Sequence, residues 1–262
     1  MPLSICVLGS GSAGNSALVE SDKAKILIDA GLGEHILSER IRQAYARPEE
    51  IDGILITHTH GDHICGLKNF VKKYGPQVFA HRLSLPEVAE LLGGYRHVTE
   101  IEEGDFFLKD LTVSPFRVNH DVHCLGYSIY CGGRKISVLT DLGILPERIF
   151  NNISDSDIVV LESNHDTEKL KSNPRYPARL KARIAGASGH LSNEACAEVA
   201  LRLARYGTRQ IVLAHLSEKN NSPELAYNAV ARRLSEENFF PGRNIYLDIA
   251  LQGEPTKIFK IS

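Results

Sequence analysis

The sequence lacks several features, and each absence excludes a class of protein or a location. Its 262 residues include five cysteines, an odd number, and contain no CxxC pair. Structural disulfides are therefore not expected, and a reducing cytoplasm is the predicted location. No apolar run reaches the ~20 residues that a transmembrane helix needs. The first residues have neither the basic nor the long apolar region of a signal peptide, and no membrane association is expected.

A surplus of charge of one sign is also missing. Thirty Lys and Arg residues against thirty-two Asp and Glu residues give a net charge of −2. This balance excludes a globally basic nucleic-acid coat, although it permits a local basic patch. With 43% hydrophobic and 24% charged residues, the composition is that of an ordinary globular chain. Because no repeat or long linker interrupts it, residues 1–262 are predicted to form a single domain.

The order of predicted strands and helices indicates an α/β fold. The first half is dominated by short β-branched runs such as residues 25–31. The second half changes to strand-then-helix units, with strands at 157–163 and 210–215 and helices near 192–205 and 223–237. Two strand-rich halves, each followed by helices, favour two mixed sheets packed face to face with helices outside, an αββα sandwich. The order alone also permits a three-layer α/β fold.

A glycine-rich segment, GSGSAG at residues 9–14, matches the GxGxxG pattern of dinucleotide-binding proteins. That pattern needs a helix to open beside the last glycine, so that the helix N-terminus meets the pyrophosphate. Here the strand-like NSALVES follows, and no βαβ unit is completed. A turn between two strands is the favoured interpretation, and nucleotide binding is not predicted.

Four potential metal ligands stand within six residues at the end of a buried strand, in the motif HTHGDH. Alternate residues of an extended segment point the same way, so His58 and His60 can converge on one ion. The turn into a helix expected over residues 63–74 carries Asp62 and His63 towards a second ion. Imidazole nitrogens with carboxylate oxygens suit divalent zinc, manganese or iron. An exposed polar turn that merely contains three histidines is the alternative.

Further candidate ligands each follow a predicted strand. They are Asp29, His120, Asp141 and His215. Taken singly, the two aspartates could cap turns and His215 could be a core histidine. Taken together with HTHGDH, they predict a site for two metal ions that is held rigidly by several strand ends.

These elements, in this order, resemble the metallo-β-lactamase-fold hydrolases over essentially the whole chain. Four segments, GSGSAGNS, LESNHD (161–166), GHLSNE (189–194) and AHLSEKNNSP (214–223), resemble the YycJ/WalJ/VicX-type branch of that family. Members of the branch are described as metal-dependent phosphodiesterases with 5′→3′ exonuclease-like activity. The resemblance implies the αββα fold and a binuclear metal centre.

The resemblance also implies a role for each candidate residue. It assigns the first ion to His58, His60 and His120, the second ion to Asp62, His63 and His215, and the bridging position to Asp141. Asp29 would accept a hydrogen bond from a ligand imidazole and fix its tautomer. A similarity to ribonuclease Z implies that Glu162 and His190 assist phosphodiester cleavage.

The predicted reaction is hydrolysis of a phosphodiester by a hydroxide that two metal ions activate. Asp62 would orient this hydroxide and take its proton. His190, polarised by Glu162, would protonate the leaving alkoxide, or would instead hydrogen-bond a phosphate oxygen.

A basic segment, residues 169–183, lies between Glu162 and His190 and contains no acidic residue. The predicted substrate contacts are Lys169, Lys171, Arg175, Tyr176, Arg179, Lys181 and Arg183. Tyr176 is a candidate stacking platform for a base. A solvated helix face is the alternative. Together with phosphodiester chemistry, the segment favours a single-stranded or nicked DNA end as substrate, and so a DNA exonuclease.

Two other functions stay open at this point. The fold also hosts hydrolases of small esters, thioesters, lactones and cyclic phosphodiesters. A metal-binding regulator with a catalytically idle site would be of another class, and it predicts that Glu162 and His190 are dispensable.

Overall fold

The computed structural model describes residues 2–261, which form two seven-stranded sheets with helices. The strands are β1 (Leu3–Gly9), β2 (Ser16–Glu20), β3 (Lys25–Ile28), β4 (Gly53–Leu55), β5 (Gln77–His81), β6 (Val98–Ile101), β7 (Phe106–Leu108), β8 (Leu111–Val118), β9 (Cys124–Cys131), β10 (Arg134–Leu139), β11 (Ile158–Glu162), β12 (Gln210–Ala214), β13 (Tyr246–Ile249) and β14 (Phe259–Ile261). The helices are α1 (Glu34–Gln43), α2 (Gly61–Ile64), α3 (Leu67–Tyr74), α4 (Leu85–Leu92), α5 (Glu147–Ile153), α6 (Thr167–Ser172), α7 (Ala178–Ile184), α8 (Asn193–Arg205) and α9 (Pro223–Ser235), with a short 3₁₀ turn at Pro48–Glu50.

Both sheets are mixed. The first has the strand order β14-β1-β2-β3-β4-β5-β6, antiparallel from β14 to β3 and parallel from β3 to β6. The second has the order β13-β12-β11-β10-β9-β8-β7, with β10 to β13 parallel and β7 antiparallel to β8. The predicted α/β class with two mixed sheets is confirmed. Among residues 2–261, no helix is long and apolar enough to cross a membrane.

The chain divides into two compact units that alternate along the sequence. The first unit contains the residues up to Pro115, residues 129–134 and the residues from Leu251 onward, and the second contains residues 116–128 and 135–250. Each unit has its own apolar core, which includes Leu37 of α1 and Phe70 of α3 in the first unit. The core of the second unit draws on α5, α8, α9 and the parallel strands β11 and β12. The expectation of a single domain stays a prediction.

The helix expected over residues 63–74 is broken into α2 and α3. At the break, the backbone N–H of Gly66 donates to the carbonyl oxygen of Ala30 at 2.9 Å instead of continuing the helical ladder. A Cβ atom at Gly66 would lie 1.8 Å from the carbonyl oxygen of Leu32, so only glycine allows this approach. The break ends α2 directly after the HTHGDH motif and fixes that short helix against β3.

The parallel strands bring their carboxyl ends to one edge within each sheet. In the first sheet, β3 and β4 pair Ile28 with Leu55, so Asp29 and the HTHGDH motif leave the sheet side by side. In the second sheet, β10, β11 and β12 align Leu139, Leu161 and Leu213. Ligands of open parallel sheets bind beyond the carboxyl ends of the strands, so each edge is a candidate functional site.

Candidate metal centre

Three of the predicted ligands or ligand partners leave their strands in the same unusual backbone conformation. Asp29, Asp141 and His215 have φ angles of 60°, 60° and 56°, and they lie one or two residues beyond β3, β10 and β12. Left-handed backbone is uncommon outside glycine, although Asp and His tolerate it better than most residues. Such strain clusters at functional sites, where the surrounding structure holds it in place. The backbone therefore marks the same three strand ends that the side-chain chemistry indicates.

The first unit holds a cluster of four donor residues, here called the first cluster: His58, His60, Asp62 and His63. The imidazole centroid of His58 lies 4.6 Å from that of His60 and 4.1 Å from that of His63. The Oδ2 atom of Asp62 lies 3.5 Å from Nε2 of His63. His58 and His63 are completely buried. Three imidazoles and a carboxylate, linked through His58 and His63, offer nitrogen and oxygen donors that fit divalent transition metals.

Asp29 fixes the orientation of His63. Its Oδ2 atom lies 2.7 Å from Nδ1 of His63 and accepts the Thr57 hydroxyl at 2.7 Å, while its Oδ1 atom accepts the Thr57 N–H at 2.8 Å. Burial raises the pKa of the Asp29 carboxyl, and the hydrogen bonds from His63 and Thr57 act in the opposite direction. A carboxylate can only accept, so Nδ1 of His63 carries the proton and Nε2 carries the lone pair that a metal ligand needs.

Asn15, which was not among the predicted site residues, contacts two members of the first cluster. Its Nδ2 atom lies 3.1 Å from Nε2 of His63 and 3.3 Å from Oδ2 of Asp62, and its N–H donates to the Asp62 carbonyl oxygen at 2.8 Å. Its Oδ1 atom accepts the N–H of Gly11 at 2.9 Å. The glycine-rich segment therefore does lie between β1 and β2 as a turn, and it also presents an amide to the site. The sequence around Asn15 did not indicate this contact, because its partners Asp62 and His63 lie far along the chain.

The second unit holds another donor set, the second cluster: His120, Asp141, Glu162, His190 and His215. One ligand atom from each of Asp141, Glu162, His190 and His215 lies within 4.8 Å of the others. The imidazole centroid of His190 lies 5.3 Å from that of His120 and 5.2 Å from that of His215. The Nδ1 atom of His120 lies 3.3 Å from the Gly189 carbonyl oxygen. Like the first cluster, this set consists of imidazoles and carboxylates, which suit the same metals.

Glu162 is the centre of the second cluster. It is completely buried, and its Oε1 atom lies 2.9 Å from Nδ1 of His190 and 2.6 Å from Nδ1 of His215. Its Oε2 atom accepts the backbone N–H groups of Leu142 at 3.1 Å and Leu191 at 3.0 Å. Four donors therefore surround one carboxylate, which joins the segments after β10, β11 and β12.

These contacts determine whether the Glu162 carboxyl group is ionised. Burial alone would raise the pKa of Glu162, but the His190 and His215 imidazoles beside it lower that pKa to about 2. Burial lowers the pKa of His190, and the Glu162 carboxylate outweighs this and raises it. Glu162 is therefore ionised at neutral pH and acts only as an acceptor, so Nδ1 of both histidines carries a proton.

The basic segment lies in the second unit, on α6, α7 and the turn between them. All seven residues of α7 are at least partly exposed. The exposed cations at the turn and on α7 are Arg175, Arg179 and Arg183, while Tyr176 and Lys181 are half-buried. A short helix with this much exposure and charge offers its side chains to a ligand in solvent.

The C-terminal end of α7 lies beside the second cluster. Nη1 of Arg183 is 3.9 Å from Oδ2 of Asp121, whose Oδ1 atom is 3.2 Å from Nε2 of His120. The backbone N–H of His190 donates to the carbonyl oxygen of Ile184 at 2.8 Å. The predicted location of the basic segment beside His190 is thus what the second unit shows.

The lysines of the segment have partners within the chain. Lys171 pairs with Glu168 at 2.9 Å, and Nζ of Lys169 donates to the Asn221 carbonyl oxygen at 3.1 Å. Nζ of Lys181 donates to the carbonyl oxygen of Lys171 at 2.5 Å. The exposed Arg175 and Arg179 are therefore better placed than the lysines to contact a ligand.

Residues 9–215 match the family model of the metallo-beta-lactamase superfamily. The chain is 35% identical over 263 residues to exodeoxyribonuclease YycJ of Bacillus anthracis, with 98% of this chain and 99% of the relative covered. It is also 35% identical over 243 residues to exodeoxyribonuclease WalJ of Streptococcus pneumoniae serotype 2 (strain D39), with 90% of each covered. The resemblance of the sequence to this branch is confirmed.

Among solved structures, the metallo-beta-lactamase fold protein YhfI from Bacillus subtilis superposes on the chain with a TM-score of 0.74. The match covers 100% of both chains at 17% sequence identity. At that identity the similarity establishes the fold.

Replacing Asp29 by asparagine is expected to lower the affinity of the protein for zinc about 10–100-fold, the usual cost of losing a partner of a metal-binding histidine. Three donors face the Asp29 carboxylate, and an amide offers a single acceptor oxygen in its place. Competition between the metal-free protein and a chromophoric chelator measures the affinity. Asp52→Asn is the matched control, because Asp52 accepts the N–H of Lys25 and pairs with Lys109 without touching an imidazole. Equal affinities for the two variants would contradict the role of Asp29.

Proposed function

Because the chain belongs to the metallo-β-lactamase superfamily of metal-dependent hydrolases, we propose that it is a DNA exonuclease of the 5′→3′ type. DNA as substrate is supported by 35% sequence identity, over 90% and 98% of this chain, to two proteins named exodeoxyribonuclease. One observation carries the proposal: Glu162 bonds His190 and His215 at once, so a proton-carrying imidazole lies beside a predicted metal ligand. Cleavage of DNA expels an alkoxide, which is a poor leaving group and needs a proton.

The proposed cofactor is a pair of divalent transition-metal ions, zinc, manganese or iron. His58, His60 and His120 would hold the first ion, Asp62, His63 and His215 would hold the second, and Asp141 would be a ligand shared by both. When bound, two such ions supply a water of lowered pKa and neutralise the charge that develops on the phosphoryl oxygens. The imidazole and carboxylate donors within each unit support this choice of metals.

Asp62 is the proposed proton acceptor for the attacking water. Its carboxylate is three-quarters buried, and the Asn15 amide lies 3.3 Å from its Oδ2 atom. A hydrogen bond from this amide limits the rotation of the carboxylate. Asp62 can then hold the water by one hydrogen bond and receive its proton.

His190 is the proposed proton donor to the leaving oxygen. Its side chain is 20% exposed, whereas Glu162 behind it is completely buried. Substrate can therefore reach the imidazole, and the Glu162 carboxylate stabilises its protonated form. Glu162 also keeps the ring in one orientation through the hydrogen bond at Nδ1.

His190→Ala is expected to slow DNA cleavage by ~10²–10⁴-fold, the range of general acid–base catalysis, and to leave metal content unchanged. The loss should be smaller with bis(p-nitrophenyl) phosphate, because p-nitrophenolate leaves without a proton. Steady-state rates on both substrates and elemental analysis check this, with His97→Ala as the control. Equal losses on both substrates would show that His190 does not donate the proton. Unchanged rates on both would show that His190 is dispensable for cleavage, whereas a wild-type protein that cleaves neither substrate would favour a catalytically idle site.

The basic segment is the proposed contact surface for single-stranded DNA. The exposed arginines and the half-buried Tyr176 combine phosphate-binding groups with an aromatic ring, the combination that proteins use on single strands. Arg183 contacts Asp121, and Asp121 in turn contacts His120, which supports a DNA path that ends beside the second cluster.

The five cysteines are all reduced thiols, which supports the predicted cytoplasmic location.

Replacing Arg179, Lys181 and Arg183 together by glutamine is expected to weaken the salt dependence of DNA binding. Each phosphate contact on a single strand contributes a slope of ~−0.7 to log K against log[salt], so three contacts account for up to roughly two units. Fluorescence anisotropy of a labelled oligonucleotide across a salt series measures the slope. Hydrolysis of bis(p-nitrophenyl) phosphate should barely change, because that substrate is too small to reach the segment.

The matched control replaces three exposed lysines of α3, Lys68, Lys72 and Lys73, by glutamine, which changes the net charge equally. The control should keep the wild-type slope. A wild-type slope in the α7 variant, with DNA turnover intact, would make this segment a solvated face and favour a small-molecule substrate.

A further inference from the structure

Three asparagines are buried in the second unit on the three segments that carry Glu162, His190 and His215. Asn164 lies in LESNHD, Asn193 in GHLSNE and Asn221 in AHLSEKNNSP, and their exposed fractions are 5%, 0% and 4%. Burying an amide is costly unless its hydrogen-bonding groups are satisfied. Three such residues near one cluster therefore need partners, and the structure provides them among the same segments.

Asn193 and Asn221 pair with each other through both amides. Nδ2 of Asn193 donates to Oδ1 of Asn221 at 2.9 Å, and Nδ2 of Asn221 donates to Oδ1 of Asn193 at 2.9 Å. The Ser163 hydroxyl donates to Oδ1 of Asn193 at 2.8 Å, and Nδ2 of Asn221 donates to the Ser163 carbonyl oxygen at 2.8 Å. The Asn193–Asn221 pair therefore restrains both the side chain and the backbone of Ser163, which directly follows Glu162.

Asn164 extends the network to His215. Its Nδ2 atom donates to the His215 carbonyl oxygen at 2.8 Å, its N–H donates to the Leu191 carbonyl oxygen at 2.9 Å, and its carbonyl oxygen accepts the N–H of Ser217 at 2.8 Å. His215 has a φ of 56°, a left-handed backbone conformation that residues other than glycine seldom adopt. The Asn164 amide therefore fixes the backbone of a strained residue whose side chain bonds Glu162.

We propose that Asn164, Asn193 and Asn221, here called the asparagine clamp, are positioning residues that set the spacing of His190 and His215 around Glu162. The inference rests on the proposed function, in which His215 binds metal and His190 donates a proton. Hydrogen bonds between amides are directional, so a fully satisfied buried network specifies one geometry more strictly than apolar packing does. The amides of Asn164 and Asn221 bond the backbone of His215 and Ser163, and Asn193 holds Asn221 and the Ser163 hydroxyl, so the clamp acts on the segments that carry the three side chains.

The direct test is the zinc affinity of Asn164→Ala, measured on the metal-free full chain by competition with a chromophoric chelator. Loss of the bond to His215 is expected to lower the zinc affinity of the proposed site that contains His215 at least about 10-fold, as for other groups that orient metal ligands. The imidazole NMR resonances of His190 and His215 in the metal-free variant should shift as well. Asn164→Ser serves in place of the alanine variant if that protein does not fold.

Ser137→Ala is the matched control for a purely structural effect. Ser137 is completely buried in the same unit, and its hydroxyl bonds those of Ser128 at 2.7 Å and Ser156 at 2.8 Å. This variant should lose stability in urea like the asparagine variant and keep wild-type zinc affinity and imidazole resonances. The proposal is overturned if Asn164→Ala changes affinity and resonances no more than Ser137→Ala does.

The experiment separates failure of the clamp from failure of the proposed function. Wild-type protein that binds zinc without cleaving DNA would refute the nuclease proposal, while zinc affinity would still test the clamp. Wild-type protein that binds no zinc would refute the metal assignment, and the imidazole resonances of metal-free protein would then decide whether Asn164 sets the positions of His190 and His215.

Discussion

A buried carboxylate that must stay charged is the constraint on which this molecule depends. Glu162 ends a fully buried strand, and an ionised group there is tolerable only if its lone pairs are filled. Two backbone N–H groups and the imidazoles of His190 and His215 fill them. Asp29 meets the same constraint in the first unit, where it accepts two hydrogen bonds from Thr57 and one from His63. In both units the need to satisfy a buried charge is what orients the histidines.

Much of this could be predicted from local sequence. The candidate ligands were indicated by the HTHGDH motif and by the Asp or His residue that follows each apolar run. An apolar run followed by a potential metal ligand can be recognised directly in the sequence. The α/β class followed from periodicity alone. The position of the basic segment beside His190 followed from its place in the chain, since it begins shortly after Glu162 and ends shortly before His190.

Other features depend on partners that are distant in sequence, and no local pattern reveals them. The helix after HTHGDH breaks because Gly66 gives its N–H to Ala30, 36 residues earlier in the chain. Asn15 reaches His63 across 48 residues, and Asn164 reaches His215 across 51. A glycine-rich turn or an asparagine in a loop has many local explanations, so its role appears only when the fold supplies the partner.

The central claim is that the donor sets of both units serve a reaction that needs two metal ions. Elemental analysis of protein reconstituted with zinc or manganese, together with cleavage of labelled single-stranded DNA with and without a chelator, tests it most directly. We expect about two equivalents of metal per chain and loss of cleavage in the presence of the chelator. Trace metal with cleavage that is indifferent to chelators would contradict it.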